Sequence, residues 1–308
     1  MRKSTYRLAM ETAGKRLAGG SKIIRTALGE TEYSEYGEGL PVLVSHGNGG
    51  GYDQGELIAR IFVGSGFHSI CPSRFGYLRT PFPADRDATA AAQADAFAAL
   101  LDTLGLPKAA IVAFSDGGPS ALQFALRYPE RCTALVMMAA KSSPPPPDNA
   151  LQALLFNTML RSDFLYWYMT YRLRSLLLLV FGMSREVQAN ITGADAKMVD
   201  AVIECMHPVS LRKAGVFNDR KWLAIPTLLP QDYPLRDIKA PTLVVHAEDD
   251  GLQPFYHARY TASNIPNARL LKPETGGHFL LGHIGEVGKE VAEFLRDGDA
   301  GTGTLSQK

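Results

Sequence analysis

Cysteine is scarce. Cys71, Cys132 and Cys205 are the only three in 308 residues, with no C-x-x-C spacing, which excludes a disulfide framework and a zinc site. They read as reduced thiols of a cytoplasmic protein, Cys71 and Cys132 as core residues beside strands. An excess of either charge is missing too. Lys plus Arg is 32 against 31 for Asp plus Glu, so no global field recruits nucleic acid or an anionic membrane. Long apolar runs are absent: the most apolar stretch, 176–181, is too short to cross a bilayer, and Arg161, Asp163, Arg172 and Arg174 interrupt the residues before it. Arg2, Lys3, Arg7, Lys15 and Arg16 make the N-terminus basic, but no clean apolar segment follows, so a secretory leader is not expected. No His, Cys and carboxylate cluster has ligand spacing, and the glycine-rich loop lacks a phosphate-binding lysine, so neither metal nor organic cofactor is expected.

What remains is an ordinary globular composition, 46% hydrophobic, with a regular alternation of elements. Residues 1–22 read as a polar, helical extension broken off by Gly19 and Gly20. A hairpin pair follows at 23–27 and 32–36. Residues 41–45 form a continuous apolar run suited to a strand buried on both faces. Helix is expected over 53–63, a strand over 68–71, a helix over 88–104 with Phe97, Leu100, Leu101 and Leu104 as its apolar stripe, a strand over 109–114, a helix over 117–128 and a strand over 133–139. This alternation predicts a mostly parallel sheet with helices on both faces. Ser142, Ser143 and the prolines at 144–147 then break the pattern. An insert over 142–235 is rich in Leu, Met and aromatics at helical spacing. The sheet pattern resumes with strands at 242–246 and 269–271 and a last helix at 287–295. The body is therefore 23–141 plus 236–297, and the tail 298–308 is expected to fray.

The chemistry centres on Ser115, in the run Ala113-Phe114-Ser115-Asp116-Gly117-Gly118 that follows an apolar strand. A lone hydroxyl among very small residues is the pattern of a nucleophile elbow, where a sharp strand-to-helix turn raises the serine within reach of a base. Serine needs that base, and the base needs a carboxylate to fix its tautomer. The two strands after the insert each run into a loop carrying one part. His246-Ala247-Glu248-Asp249-Asp250 offers the acid, with Asp250 preferred over Asp249, and Gly276-Gly277-His278-Phe279 offers the base, with His283 as a competitor. The order Ser115, Asp250, His278 places each group at a strand end, where open sheets hold their sites. The loop His46-Gly47-Asn48-Gly49-Gly50-Gly51 can bring backbone amides close to a developing oxyanion. The N–H of Asn48, with Gly49 in reserve, and the N–H of Asp116 are assigned to that task. Gly47, Gly49 and Phe279 are expected to touch substrate. His46 and His246 read as supporting residues, and His68, His207 and His257 as surface or partly buried neutral ones. The Asp116 carboxylate either bonds locally or meets a polar or cationic substrate group.

From about residue 23 to 296 the chain resembles an α/β-hydrolase-fold enzyme, through HGNGGG at 46–51, AFSDGG at 113–118, HAEDDGLQP at 246–254 and GGHF at 276–279. The resemblance implies an α/β-hydrolase fold with the insert as a helical cap. Counting from Ala247, which replaces the glycine of a G-x-x-D turn, gives Asp250. Ser73 stands where many relatives carry an aspartate in a D-x-x-G-x-G loop. The leading expectation is hydrolysis of a carboxylic ester of a small hydrophobic molecule. The alternatives are carbon–carbon bond hydrolysis of a ring-cleavage product, thioesterase, lactonase or cofactor-free perhydrolase activity. Relatives of the carbon–carbon type usually have tryptophan after the histidine; here it is Phe279, although Arg172 or Arg185 could bind an acid. A hydrolase-fold protein that only binds a hydrophobic ligand is the non-enzyme alternative. The insert's apolar residues, Leu154, Leu155, Phe156, Met159, Leu160, Phe164, Leu165, Tyr166, Trp167, Tyr168 and Met169, exceed what a helix pair can hide. They are expected to form cap core and acyl pocket first, and a membrane-surface or homodimer contact after that.

Overall fold

Strand β5 (Ala109–Phe114) is buried at every position, as are β6 (Cys132–Met138) and β7 (Thr242–Val245), while β3 (Leu40–Ser45) is buried over its last four residues. Such strands need apolar side chains on both faces, which is why their sequences run without alternation. The computed structural model describes residues 5–142, 154, 158–191, 193–222 and 231–302. The remaining strands are β1 (Lys22–Thr26), β2 (Gly29–Tyr36), β4 (Phe67–Pro72) and β8 (Arg269–Leu271). Together they form one sheet in the order β1-β2-β4-β3-β5-β6-β7-β8, antiparallel where β2 meets β1 and β4, and parallel elsewhere. The hairpin and the mostly parallel sheet expected from the sequence are both present.

Successive residues of each central strand enter opposite cores. Val42, Val44, Val112, Phe114, Val136 and Val245 belong to one; Leu43, Ile111, Ala113, Leu135 and Val244 belong to the other. Each large side chain so buried contributes about 1.5–3 kcal/mol. The second core is closed by helices α3 (Ala90–Thr103) and α4 (Gly118–Arg127). Helix α2 (Tyr52–Ile58), with the wider turn Ala59–Val63 that continues it, covers the first core.

Between β6 and β7 the described residues are helical: α5 (Asp163–Arg172), α6 (Arg174–Val180), α7 (Arg185–Ala189), α8 (Gly193–Cys205) and α9 (Lys213–Trp222). The prolines at 144–147, Leu155 and Phe156 lie outside the described residues. Met159, Leu160, Tyr166, Trp167 and Met169 are buried as cap core would be, whereas Phe164, Tyr168 and Leu154 are exposed. After β7 come α10 (Tyr256–Asn264) and α11 (Ile284–Thr302). The last helix runs past 297, where fraying was expected. Gly298 explains the difference: a Cβ there would sit 2.9 Å from the Ala134 Cβ, so its lack of side chain lets the helix end pack on β6. Residues 303–308 of the expected tail lie outside the described residues.

The N-terminal helix α1 (Thr5–Gly19), outside the resemblance, is docked rather than detached. Tyr6 packs edge-on against Phe164 and Trp167, at 5.4 and 5.6 Å between ring centres. Arg16 donates to the carbonyls of Glu204, Cys205 and His207 and pairs with Asp53, which also takes two bonds from Arg212 at 3.0 and 2.7 Å. Burial alone would push the Asp53 carboxyl up, but the two guanidinium groups hold it below its ordinary value. No helix among the described residues is long and apolar enough to cross a membrane.

Candidate active site

The sheet order reverses at β3, whose neighbours β4 and β5 lead away on either side, so the loops after β3 and β5 diverge and leave a crevice at the strand ends. Ser115 stands at the end of β5 with φ of +53°, a strained value for a residue with a side chain. The small neighbours are required by contact. A Cβ on Gly117 would strike the carbonyls of Ser45 and His46, one on Gly118 the carbonyl of Lys141, and one on Gly47 would meet the Ser115 Cβ at 3.0 Å.

His278 Nε2 lies 3.0 Å from Ser115 Oγ, and His278 Nδ1 lies 2.8 Å from Asp250 Oδ2. Asp250 Oδ1 accepts the N–H groups of Leu252 and Gln253, at 2.8 and 2.9 Å. Burial would raise this carboxyl, yet His278 and His246 together hold it well below the usual aspartate range, so it is ionised. An ionised Asp250 takes the Nδ1–H of His278 and leaves Nε2 free to accept the serine proton. The three side chains are nearly closed from solvent.

The competitors have other work. Asp249 accepts the N–H groups of Gly277 and Gly276, at 2.8 and 3.3 Å, and so anchors the turn that carries His278. That turn needs its glycines, since Gly276 and Gly277 have φ of +125° and +59°. His283 faces Glu286 at 3.5 Å, away from the serine. His246 was expected only to support the strand end; its Nε2 in fact reaches Asp250 Oδ2 at 3.1 Å and the Gln253 carbonyl at 2.8 Å. Its place four residues before Asp250 was the available signal. His207 and His257 are not surface residues but fully buried, and burial pushes their imidazoles down to about 4 and about 3.

In the loop after β3, His46 is buried and its imidazole is held well below its ordinary value, first by burial and then by Arg74. Its Nε2 accepts the Arg74 N–H at 3.0 Å, and its Nδ1 donates to the Gly47 carbonyl at 2.8 Å. Gly49, with φ of +69°, lies under Met206, whose Cε would sit 2.5 Å from an added Cβ. Asp116 bonds locally: its carboxylate accepts Asn48 Nδ2 at 3.1 Å and Gln253 Nε2 at 3.0 Å, and lies 3.5 Å from Lys141 Nζ. Burial would raise its pKa; Lys141, Arg74 and Asn48 bring it below the ordinary value. Ser73 donates to the buried Glu32, so a carboxylate from β2 serves the loop in which Ser73 replaces the family's aspartate.

Apolar groups surround the serine–histidine pair. Phe279 stacks on Phe114 at 6.1 Å and meets Phe181 edge-on at 6.3 Å. A crevice of about 10 Å³ beside them, lined by Leu57, Ile61, Phe114, Met198, Val202 and Phe279, has room for one water. Arg172 and Arg185 are exposed.

A mostly parallel sheet with a strained serine at a strand end and a Ser115–His278–Asp250 chain of hydrogen bonds defines a serine hydrolase of α/β type. Residues 41–282 match the family described as the alpha/beta hydrolase fold, and the chain belongs to that family. It is 27% identical over 279 residues to a 2-hydroxymuconate semialdehyde hydrolase of Pseudomonas putida, covering 88% of this chain and 92% of the relative. It is also 27% identical over 279 residues to a 2-hydroxy-6-oxo-6-phenylhexa-2,4-dienoate hydrolase of Burkholderia cepacia, covering 86% and 91%. Among solved structures, an alpha/beta hydrolase fold protein from Nakamurella multipartita superposes with a TM-score of 0.70 at 29% identity, covering 91% of this chain and all of that one.

Proposed function

We propose that Ser115 attacks a substrate carbonyl carbon, with His278 as general base, Asp250 steadying the imidazolium, and the N–H groups of Asn48 and Asp116 receiving the oxyanion. The observation that carries this is the unbroken chain from Asp250 through His278 to Ser115, with donor and acceptor roles fixed by the ionised aspartate. Such a chain activates a hydroxyl that is otherwise a weak nucleophile. We read the insert as a cap, since Met198 and Val202 of α8 wall the crevice beside the site and must shift to admit a substrate.

The bond we assign is carbon–carbon, next to a ketone in a 2-hydroxy-6-oxo-dienoate. Similarity over most of both chains to the two dienoate and semialdehyde hydrolases supports this above the ester expected from the sequence. The dienol first ketonises, its 2-hydroxyl proton moving to the carbon next to the 6-ketone, and Ser115 Oγ then adds to that ketone carbon while its own proton passes to His278. Collapse of the adduct expels the neighbouring carbon as a conjugated enolate, which takes the proton from the imidazolium. Water, activated by His278, then releases the acyl group as a carboxylic acid.

A second reading, ester hydrolysis, is favoured by the site's charges. Lys141 and Arg74 each face a carboxylate of the protein, Arg172 and Arg185 are exposed, and Phe279 rather than a polar group adjoins His278. Turnover of 2-hydroxy-6-oxo-6-phenylhexa-2,4-dienoate beside p-nitrophenyl esters from acetate to octanoate tests the choice. The carbon–carbon reading requires kcat/KM for the dienoate to exceed that for every ester. Ester turnover with none of the dienoate reverses it.

A further inference from the structure

The peptide joining Gly47 to Asn48 is trans, so the Gly47 carbonyl and the Asn48 N–H point in opposite directions. Whatever holds the carbonyl therefore aims the N–H. Three donors converge on that carbonyl: His46 Nδ1 at 2.8 Å, the Gly50 N–H at 3.3 Å and Arg74 Nη2 at 3.4 Å. Arg74 acts on the same loop twice more. Its Nε donates to the His46 carbonyl at 3.0 Å, and its backbone N–H donates to His46 Nε2 at 3.0 Å, which fixes the tautomer that frees Nδ1–H for Gly47. The carbonyl side of the loop thus faces Arg74, and the Asn48 N–H faces away from it.

Arg74 is itself held from the insert. Asp219 of α9 takes two bonds from its guanidinium, both at 2.7 Å, and the same carboxylate accepts the Tyr77 hydroxyl at 2.6 Å. Arg74 and Asp219 are buried, so removing either would leave a charge without a partner in a dry interior. A bidentate pair of this kind also fixes the guanidinium plane, which a single contact would not. We infer that Asp219, through Arg74, aims the Asn48 N–H, so that the insert sets one of the two oxyanion donors. Arg74 and Asp219 are positioning residues: neither touches the reacting atoms. The inference rests on the proposed role of the Asn48 N–H.

The test compares a ligand that needs the oxyanion donors with one that does not. Butylboronic acid bonds to an active serine as a tetrahedral anion, whereas KM for p-nitrophenyl butyrate reports mainly the ground state. Arg74→Met combined with Asp219→Asn removes the pair without stranding a charge and keeps an acceptor for Tyr77. The boronate inhibition constant is expected to rise roughly 100-fold, as for loss of one oxyanion donor, with KM and the melting temperature little changed. Arg74→Lys keeps the charge paired with Asp219 but loses the Nε and Nη2 bonds to the loop, and it is expected to raise the constant about tenfold, providing a milder variant should the pair variant fold poorly. A boronate constant within twofold of wild type in a folded variant overturns the inference and leaves the hydrolase reading intact. Wild-type protein that forms no tetrahedral boronate on Ser115 overturns the hydrolase reading, and this inference with it.

Discussion

Replacing Asp250 by asparagine changes a single atom, and the structure dictates where that atom goes. Asp250 Oδ1 accepts two backbone N–H groups, from Leu252 and Gln253, so the amide oxygen must stay on that side. The new NH2 then takes the place of Oδ2, 2.8 Å from His278 Nδ1 and 3.1 Å from His246 Nε2. Facing a donor, His278 must carry its proton on Nε2, which then points at Ser115 Oγ and cannot accept from it. A base locked in the wrong tautomer costs roughly 10⁴ in rate, about 5 kcal/mol of barrier. The assay is kcat on whichever substrate proves best, with a melting curve to show that the variant folds. Asp249→Asn is the matched control. It weakens the bonds that hold Gly276 and Gly277 but leaves the tautomer alone, so less than a tenfold loss is expected. A drop below tenfold for Asp250→Asn in folded protein would refute the reasoning.

Gly117→Ala drives a methyl group into the Ser45 and His46 carbonyls and is expected to destabilise by about 1–3 kcal/mol or more, read from the urea midpoint. His207 is neutral in the fold down to about pH 4, whereas in the unfolded chain it gains a proton near 6.5. Its contribution is therefore intact above pH 6.5 and lost as pH falls toward 4, by up to roughly 3 kcal/mol. His257 acts with the same sign, and His207→Gln should shrink the fall in melting temperature between pH 7.5 and 4.5. Arg16→Ala strips three carbonyls and Asp53 of a donor, and a loss of about 1–3 kcal/mol in denaturant titration is expected. His283→Ala should leave kcat within about twofold, because that imidazole faces Glu286 and not the serine.

The parts of this molecule that follow local rules were readable in its sequence. Runs such as Ala109–Phe114 need apolar side chains on both faces and announce themselves, and the crowding around Ser115 demands glycines that can be seen without coordinates. Asp250 could be preferred to Asp249 by counting along a turn, but why Asp249 is also needed depends on the Gly276 and Gly277 N–H groups, 27 and 28 residues away. Apart from His246 to Asp250, four positions apart, the links that sequence reading missed are of this long-range kind. Arg16 to the Glu204 carbonyl spans 188 positions and Arg74 to Asp219 spans 145, and nothing in the spacing of such residues marks them as partners. His207 was misjudged for the same reason. Tyr166, 41 positions earlier in the chain, packs on the buried ring at 4.7 Å.

The central claim is that Ser115 is made nucleophilic by His278. Peptide-level mass spectrometry after treatment with a fluorophosphonate tests it most directly. The account predicts one adduct, on the peptide containing Ser115, that is lost in His278→Ala and kept in His283→Ala. An adduct on another residue, or equal labelling of Ser115 without His278, would contradict it.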